Sequence, residues 1–392
     1  MFTKEQKGAL ERMNKIRAEL KAQFIQRDNE VDGLGVALLA GTNMLLLGPP
    51  GTAKSLLTQV FARALAVPEH EYFERLCNAY TVPEDIFGPF DLPKLEQGVY
   101  ERQVDGYLPK ARIAYLDEIF NMNQTQLNTL NTVLNEKKFD QGTSRIDCPL
   151  ELCVGAANVY PEGDMALAAL YDRFLIRYWT PYINTRSAMR TLLVAQNEPS
   201  CSVSLQDGDT ELLRQAQKSV VIPDEVVDAV LDVRDALARK GVIASDRRWR
   251  SMLKLIRAKA ALELRSEAKL IDVMVLADSL WDKHDDRPVI YSTVAERVAP
   301  AIGDAQRLLD GVLVEYAKID IDAADENGYS NRKQDRSRVV GVLNVALREV
   351  NGLQGSDDCA EINAIIEKLK GMKKTVARAS AKLDYRVGHL VS

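Results

Sequence analysis

The sequence predicts an α/β domain built on a five-stranded, mainly parallel sheet, followed by all-helical segments. Three observations carry this expectation. Five short apolar runs lie in the first half, at 44–47, 72–76, 113–116, 150–157 and 174–179. Most lack polar alternation, which is the pattern of strands covered by helices on both faces. Helical periodicity separates them, as in Leu56, Leu57, Val60, Phe61, Ala64 and Leu65, and strands alternating with helices indicate a parallel sheet. After about Tyr182 the strand signals stop, and amphipathic segments at 226–237 and 249–264 take over. The expected organisation is an α/β core at 1–190 with an insert at about 83–108, an all-helical domain at 205–300, and a helical hairpin extension at 301–392.

The chain of 392 residues is long enough for two or three domains with real cores. Hydrophobic residues at 46% and charged residues at 27% suit a soluble globular protein, so a cytoplasmic location is expected. A net charge of −5 gives no global attraction to nucleic acid or acidic membranes. The apolar stretch at 36–47 is interrupted by Gly41, Thr42 and Asn43 and is too short to span a bilayer. No signal peptide is evident, and no membrane insertion is expected. Five cysteines show no metal-ligand pattern. Cys148 and Cys153 fall on one apparent strand about 16 Å apart, beyond disulfide reach, so reduced thiols are expected. The polar stretch at 321–338 invites a calcium-loop reading through Asp320, Asp322, Asp325 and Asn327, but the ligand spacing fails.

The strongest chemical signal is Gly48-Pro49-Pro50-Gly51-Thr52-Ala53-Lys54-Ser55, which follows an apolar strand and opens a helix. Glycines let the backbone curl so that N–H groups point at phosphate oxygens, and the helix N-terminus adds positive charge there. Lys54 would reach the β- and γ-phosphates, and the Ser55 hydroxyl would ligate Mg²⁺. Ala53 stands where such loops usually carry glycine, and the loop tolerates it if Ala53 already belongs to the helix. The alternative is a Gly-Pro turn beside a solvated lysine.

A second signal is the apolar strand ending in Asp117-Glu118, 62 residues beyond Ser55. Two adjacent carboxylates at a strand end have few structural explanations, because buried charge is costly. Asp117 would hold the metal, and Glu118 would orient and deprotonate an attacking water. Asn158, at the end of the fourth apolar run, could hydrogen-bond that water or the γ-phosphate, or simply form a turn. Arg173 precedes the fifth run and could reach a neighbouring subunit's γ-phosphate or pair locally with a carboxylate. Finally, Ser245 caps a helix whose first turn holds Arg247 and Arg248. Cations there oppose the helix dipole, so an anion, either phosphate or a nearby acid, should compensate.

Together these segments resemble an AAA+ ATPase, and more narrowly the MoxR family, nearest its RavA subgroup. The resemblance rests on LLLGPPGTAKS, TVPEDIFGPF, YERQVDGYLPKARIAYLDEIF, LNTLNTVLNEKKF, ALYDRFLIRYW and SDRRW. It implies ATP and Mg²⁺ as cofactors, a phosphate loop formed by residues 48–55, and Asp117 and Glu118 as the metal-binding and catalytic pair. It further implies Asn158 as sensor 1, Arg173 as arginine finger, and Arg247, or else Arg248, as sensor 2. The segment 83–108 resembles this clade's helix-2 insert, and 137–146 would form a second hairpin, both facing a ring channel. The family implies a homo-hexamer that remodels or matures a protein client, often with a von Willebrand factor A-domain partner. The β-rich C-terminal insertion of the RavA type has no counterpart in this sequence. Two rivals are a nucleic-acid-stimulated ring motor, disfavoured by the few cations on the hairpins, and a slow nucleotide-dependent switch.

Overall fold

In a computed structural model, the described residues are 1–122, 124–142, 144–158, 170–318, 329–353 and 360–390. They divide into two compact units, 1–228 with 241–287, and 229–240 with 288–392. Residues 241–287, which the sequence placed in the helical domain, thus cluster with the α/β core, whereas 229–240 cluster with the C-terminal helices.

The first unit opens with α1 (Lys4–Gln23), capped by Thr3 and Gln6 in a reciprocal capping box, and α2 (Asp28–Ala40). The sheet strands are β1 (Asn43–Leu47), β2 (Tyr72–Leu76), β3 (Ile113–Asp117), β6 (Leu152–Ala157) and β7 (Phe174–Trp179). Their spatial order is β2-β3-β6-β1-β7, and every pairing is parallel. All five strands sit within two residues of the apolar runs that predict them. The Tyr72–Leu76 edge strand is the least buried of them. Cys148 lies ahead of β6 rather than on it; it and Cys153 are both buried free thiols. Among the described residues, no strand follows Trp179.

The helix α3 (Lys54–Ala64) follows β1 directly. Between β2 and β3 stand two short helices, α4 (Pro83–Phe87) and α5 (Leu92–Leu95). The insert at 83–108 is therefore a compact pair of helical turns closed by one antiparallel bridge, Phe90 with Arg102, rather than a full strand hairpin. The Arg102 guanidinium lies 4.1 Å from the centre of the Phe90 ring. After α6 (Gln124–Glu136), β4 (Lys138–Gln141) and β5 (Ser144–Asp147) form the expected second hairpin. The two projections meet: Gln141 Nε2 donates to the Arg102 carbonyl at 2.7 Å. A Cβ on Gly142 would stand 2.2 Å from the Tyr100 carbonyl oxygen, so only glycine permits this approach.

Helices α7 (Arg186–Val194), α8 (Asp209–Ser219) and α10 (Asp246–Leu262), with a 3₁₀ stretch at Leu270–Asp278, complete this unit. Between α8 and α10 runs α9 (Asp224–Arg239), which falls mostly in the second unit. Arg12 grips Asp209 through Nε and Nη2 at 2.7 and 2.6 Å, and Asn14 Nδ2 donates to Leu262 O at 2.6 Å. These bonds fasten the N-terminal helix to α8 and α10.

The second unit also holds α11 (Arg287–Val298), α12 (Pro300–Ala317), α13 (Tyr329–Leu353) and α14 (Ala360–Leu390). The C-terminal segment is thus three long helices and not the expected hairpin. The apolar stripe at 339–350 packs inward through Val339, Leu343, Ala346 and Val350, while Val345 is exposed. Buried Arg336 donates from Nη1 to the Ala379 carbonyl at 2.9 Å. The residues of the rejected calcium loop lie outside the described residues. No helix among the described residues is long and apolar enough to cross a membrane.

Candidate nucleotide-binding site

The strand order explains why the chemical groups converge. In a parallel sheet all carboxyl ends share one edge, and β3, β6 and β1 are consecutive. The residues that follow them, at 117–118, 158 and 48–55, are therefore neighbours.

The loop after β1 is clamped by both flanking strands. Gly48 N donates to Ala157 O at 3.1 Å, and Thr180 N donates to Leu47 O at 2.7 Å. Gly48 has φ +145°, and a Cβ there would lie 2.3 Å from the Thr180 carbonyl oxygen. The Thr52 hydroxyl donates to Pro49 O at 3.0 Å. Ala53 caps α3 from outside, at φ 65° and ψ 27°. The condition under which the loop would tolerate alanine without strain is not met: Ala53 lies outside the helix in the left-handed region, where a Cβ costs about 1–2 kcal/mol. Lys54 is buried and donates to the carbonyls of Gly48 and Pro49 at 2.8 and 3.0 Å. Burial lowers its pKa, Asp117 and Glu118 oppose that shift, and Arg27 adds to it.

Asp117 ends β3, and Glu118 follows in a left-handed conformation, φ 51° and ψ 40°. A non-glycine residue held there is the kind of strain that collects at functional sites. Glu118 N donates to Asp117 Oδ1 at 3.1 Å, and Asn158 Nδ2 donates to Glu118 Oε1. The amide thus grips the carboxylate itself.

Arg173 lies elsewhere. It precedes β7, and Asn43 at the start of β1 donates to its carbonyl at 3.4 Å. This is the amino edge of the sheet, about 16 Å of strand away from the loop. The guanidinium is half-buried, and desolvation first, then the Arg247 charge, lower its pKa. Arg247 and Arg248 separate by role. Arg248 is buried and its Nη1 donates to Asp282 Oδ1 at 3.2 Å, a carboxylate that Arg177 also engages at 2.8 Å. Arg247 is exposed and its charge is felt at Arg173.

Beside the loop opens a cavity of about 840 Å³ whose lining includes Gly51, Thr52 and Ala53. Its apolar wall includes Phe24, Ile25, Tyr182, Met189 and Leu192. Sequence reasoning missed this half of the site, including buried Arg27, which caps α2 from its N-terminal side. One signal was available: a cation immediately before an acidic helix start opposes the dipole, as at Arg247. The volume and walls suit a base and sugar, and the loop suits the phosphates. The oxygen donors of Ser55 and Asp117 suit a hard divalent cation such as Mg²⁺.

A phosphate loop, an acidic strand end and this strand order define the AAA+ class of P-loop proteins. Residues 11–220 match the model of the MoxR domain in the MoxR-vWA-beta-propeller ternary systems, and 225–294 match an AAA lid domain. The chain belongs to the MoxR family of AAA+ ATPases. It is 30% identical to the uncharacterized protein MJ0079 of Methanocaldococcus jannaschii over 85% of this chain and 86% of that protein. It is 24% identical to the chaperone MoxR1 of Mycobacterium tuberculosis over 80% of this chain and 84% of that one. A crystal structure from Cytophaga hutchinsonii, provisionally assigned as an ATPase, shares the fold with a TM-score of 0.60 at 18% identity. That match covers 75% of this chain and 96% of the other.

Proposed function

We propose that this protein hydrolyses Mg·ATP and spends the turnover on remodelling or maturing a protein client, as a homo-hexameric ring. The observation that carries the reading is the division of charged groups between the two edges of the sheet. The loop, Asp117, Glu118 and Asn158 share the carboxyl edge, whereas Arg173 stands at the amino edge. An arginine so placed cannot serve its own loop, but it can serve a neighbour's.

In this reading Lys54 exchanges its two carbonyl partners for β- and γ-phosphate oxygens. Ser55 and Asp117 are the residues that would hold Mg²⁺, which when bound supplies positive charge to those oxygens. Glu118 accepts the proton of the attacking water, and Asn158 holds the carboxylate in place for it. Arg173 and the adjacent Arg247 act together on the γ-phosphate of the next subunit. Residues 1–190 serve as nucleotide core, 205–300 as lid and 301–392 as extension. The exposed Leu92, Val99 and Tyr100 of the insert, packed against the β4–β5 hairpin, form the client-facing surface. The family's description supports a von Willebrand factor A-domain partner, and the chaperone name of MoxR1 supports a protein client.

The test is phosphate release from ATP by the full chain with Mg²⁺, beside Glu118→Gln. The wild type should turn over, and the variant should bind ATP without turnover. Binding without turnover by the wild type, at concentrations where rings form, would favour a nucleotide switch. Salt-dependent stimulation by single-stranded DNA would favour a nucleic-acid motor.

A further inference from the structure

We propose that Arg27 is a positioning residue that locks the phosphate loop to the base-side wall, so that a bound base helps order the loop receiving the phosphates. This rests on the nucleotide-binding reading above and extends it to how the two halves of the site communicate.

Arg27 is only 5% exposed and lies at the corner between α1 and α2. Its three nitrogens reach three separate carbonyls. Nε donates to Thr52 in the loop at 3.2 Å, Nη1 to Gln26 at 2.6 Å, and Nη2 to Pro181, just past β7, at 2.7 Å. A guanidinium is a rigid planar fork, so these bonds fix Thr52 relative to Pro181. Thr52 immediately precedes Ala53, whose left-handed conformation has to be held in place.

The same corner grips the opposite wall of the cavity. Gln26, itself at φ 58°, accepts from Asn184 N at 3.1 Å and donates from Nε2 to Asn184 Oδ1 at 3.1 Å. Gln23 exchanges a matching pair with Ser200, accepting its N–H at 2.9 Å and donating to its carbonyl at 2.6 Å. These glutamines clasp both ends of the segment carrying α7, a helix with no buried residue of its own. Phe24 and Ile25 of the corner, with Met189 and Leu192 of α7, line the cavity. A base seated between them settles the corner, and Arg27 transmits that to Thr52. Keeping a cation buried at a helix N-terminus is costly: desolvation lowers the Arg27 pKa, with Glu30 opposing. A triphosphate in the adjacent loop would offset that cost.

The experiment compares ATP with inorganic tripolyphosphate, which has the phosphates but no base. Binding of each to the full chain is measured for wild type, Arg27→Ala and Arg27→Lys, with folding checked by circular dichroism and Tm. The expected result for Arg27→Ala is a loss of ATP affinity of about 10–100-fold, from hydrogen bonds to a charged group. Tripolyphosphate should lose much less, so the ratio of the two affinities falls at least about tenfold. In turnover, KM should rise more than kcat falls. Lys keeps the charge but cannot span three carbonyls, so it should not rescue the ratio. An unchanged ratio in Arg27→Ala, or full rescue by Lys, overturns the proposal. If Arg27→Ala does not fold, Gln26→Ala should lower the same ratio about threefold, and an unchanged ratio there is equally fatal. A wild type that binds neither ligand would sink the nucleotide reading itself, whereas wild-type binding with unaltered ratios would sink only the role of Arg27.

Discussion

The side-chain amide of Asn158, one residue beyond β6, donates directly to the carboxylate of Glu118, one residue beyond β3. The bond joins the ends of two adjacent parallel strands, so the carboxylate's position is set by the sheet register. Asn158→Ala should therefore lower kcat by roughly 10²-fold, in the range for a mispositioned general base, while ATP affinity stays near wild type. Combined with Glu118→Gln, the loss should be far from additive, because both changes disable one unit. Additive losses in a double-mutant cycle would mean that Asn158 acts on something other than Glu118.

Ala53 carries a Cβ at a backbone position that glycine adopts freely. Ala53→Gly should relieve this strain and stabilise the folded chain. The native relief of about 1–2 kcal/mol is offset by the greater freedom of glycine in the unfolded chain, about 0.4–1 kcal/mol. A small rise in Tm, with nucleotide affinity retained, is expected by thermal unfolding. A fall in Tm would show that the alanine methyl group makes contacts worth more than the strain.

Arg247 and Arg248 are consecutive yet should fail differently when removed. Arg248 is buried and shares Asp282 with Arg177, whose side chain is fully buried. Arg248→Ala should cost about 1–3 kcal/mol of stability by breaking a charged hydrogen bond. Arg247 is exposed, so Arg247→Ala should leave the unfolding midpoint unchanged and reduce hydrolysis alone. Unfolding curves and turnover for the two variants would separate the roles, and a destabilised Arg247→Ala would contradict this assignment.

Asp278 supplies a pH prediction. Burial pushes its pKa from 3.8 up to about 6, with Arg287 and a hydrogen bond from Tyr178 opposing and Glu30 adding to the rise. Because the folded value lies above the unfolded one, the stability it contributes is fully present below 3.8 and is lost as pH rises through about 6. Asp278→Asn should remove that dependence and stabilise the chain at pH 7.5 by about 1–3 kcal/mol. Denaturant unfolding of both proteins at pH 5 and 7.5 checks it. A variant no more stable than wild type at pH 7.5 would mean that the carboxylate is better compensated than its surroundings suggest.

Much of the sheet was legible because β1, β3, β6 and β7 are buried on both faces, which leaves continuous apolar runs with no competing period. The candidate loop and acidic pair could be singled out in the sequence because phosphate and metal binding would demand particular residue types in a fixed order, and the strand order brings them to one edge of the sheet. The cavity beside the loop was not legible. Phe24, Ile25, Tyr182 and Met189 come from segments more than 150 residues apart, and apolar residues read the same whether they line a cavity or fill a core. Arg27 works through backbone carbonyls, which leave no trace in residue identity. The C-terminal helices were undercounted because a helical stripe reveals its period and not the number of its neighbours. The backbone state of Ala53 was likewise invisible, since alanine ordinarily argues for helix.

Arg173 provides the sharpest test of the proposed ring. Its backbone is tied to the start of β1, whereas Lys54 follows the end of the same strand, so one subunit cannot bring the two together without unzipping its sheet. If the guanidinium serves a neighbour, turnover per subunit should rise with protein concentration until rings form. Arg173→Ala alone should lose about 10³–10⁵ in rate, as arginine fingers typically do. Lys54→Ala alone should lose nucleotide binding. Mixing these two inactive proteins should restore activity, because some interfaces then pair an intact arginine with an intact loop. In a hexamer the recovery should pass through a maximum near equal proportions, where such interfaces are most frequent. No recovery at any ratio, in rings shown by labelled subunits to be mixed, would mean that Arg173 only supports its own subunit. Half-burial beside the repelling charge of Arg247 makes such a purely structural role an expensive one.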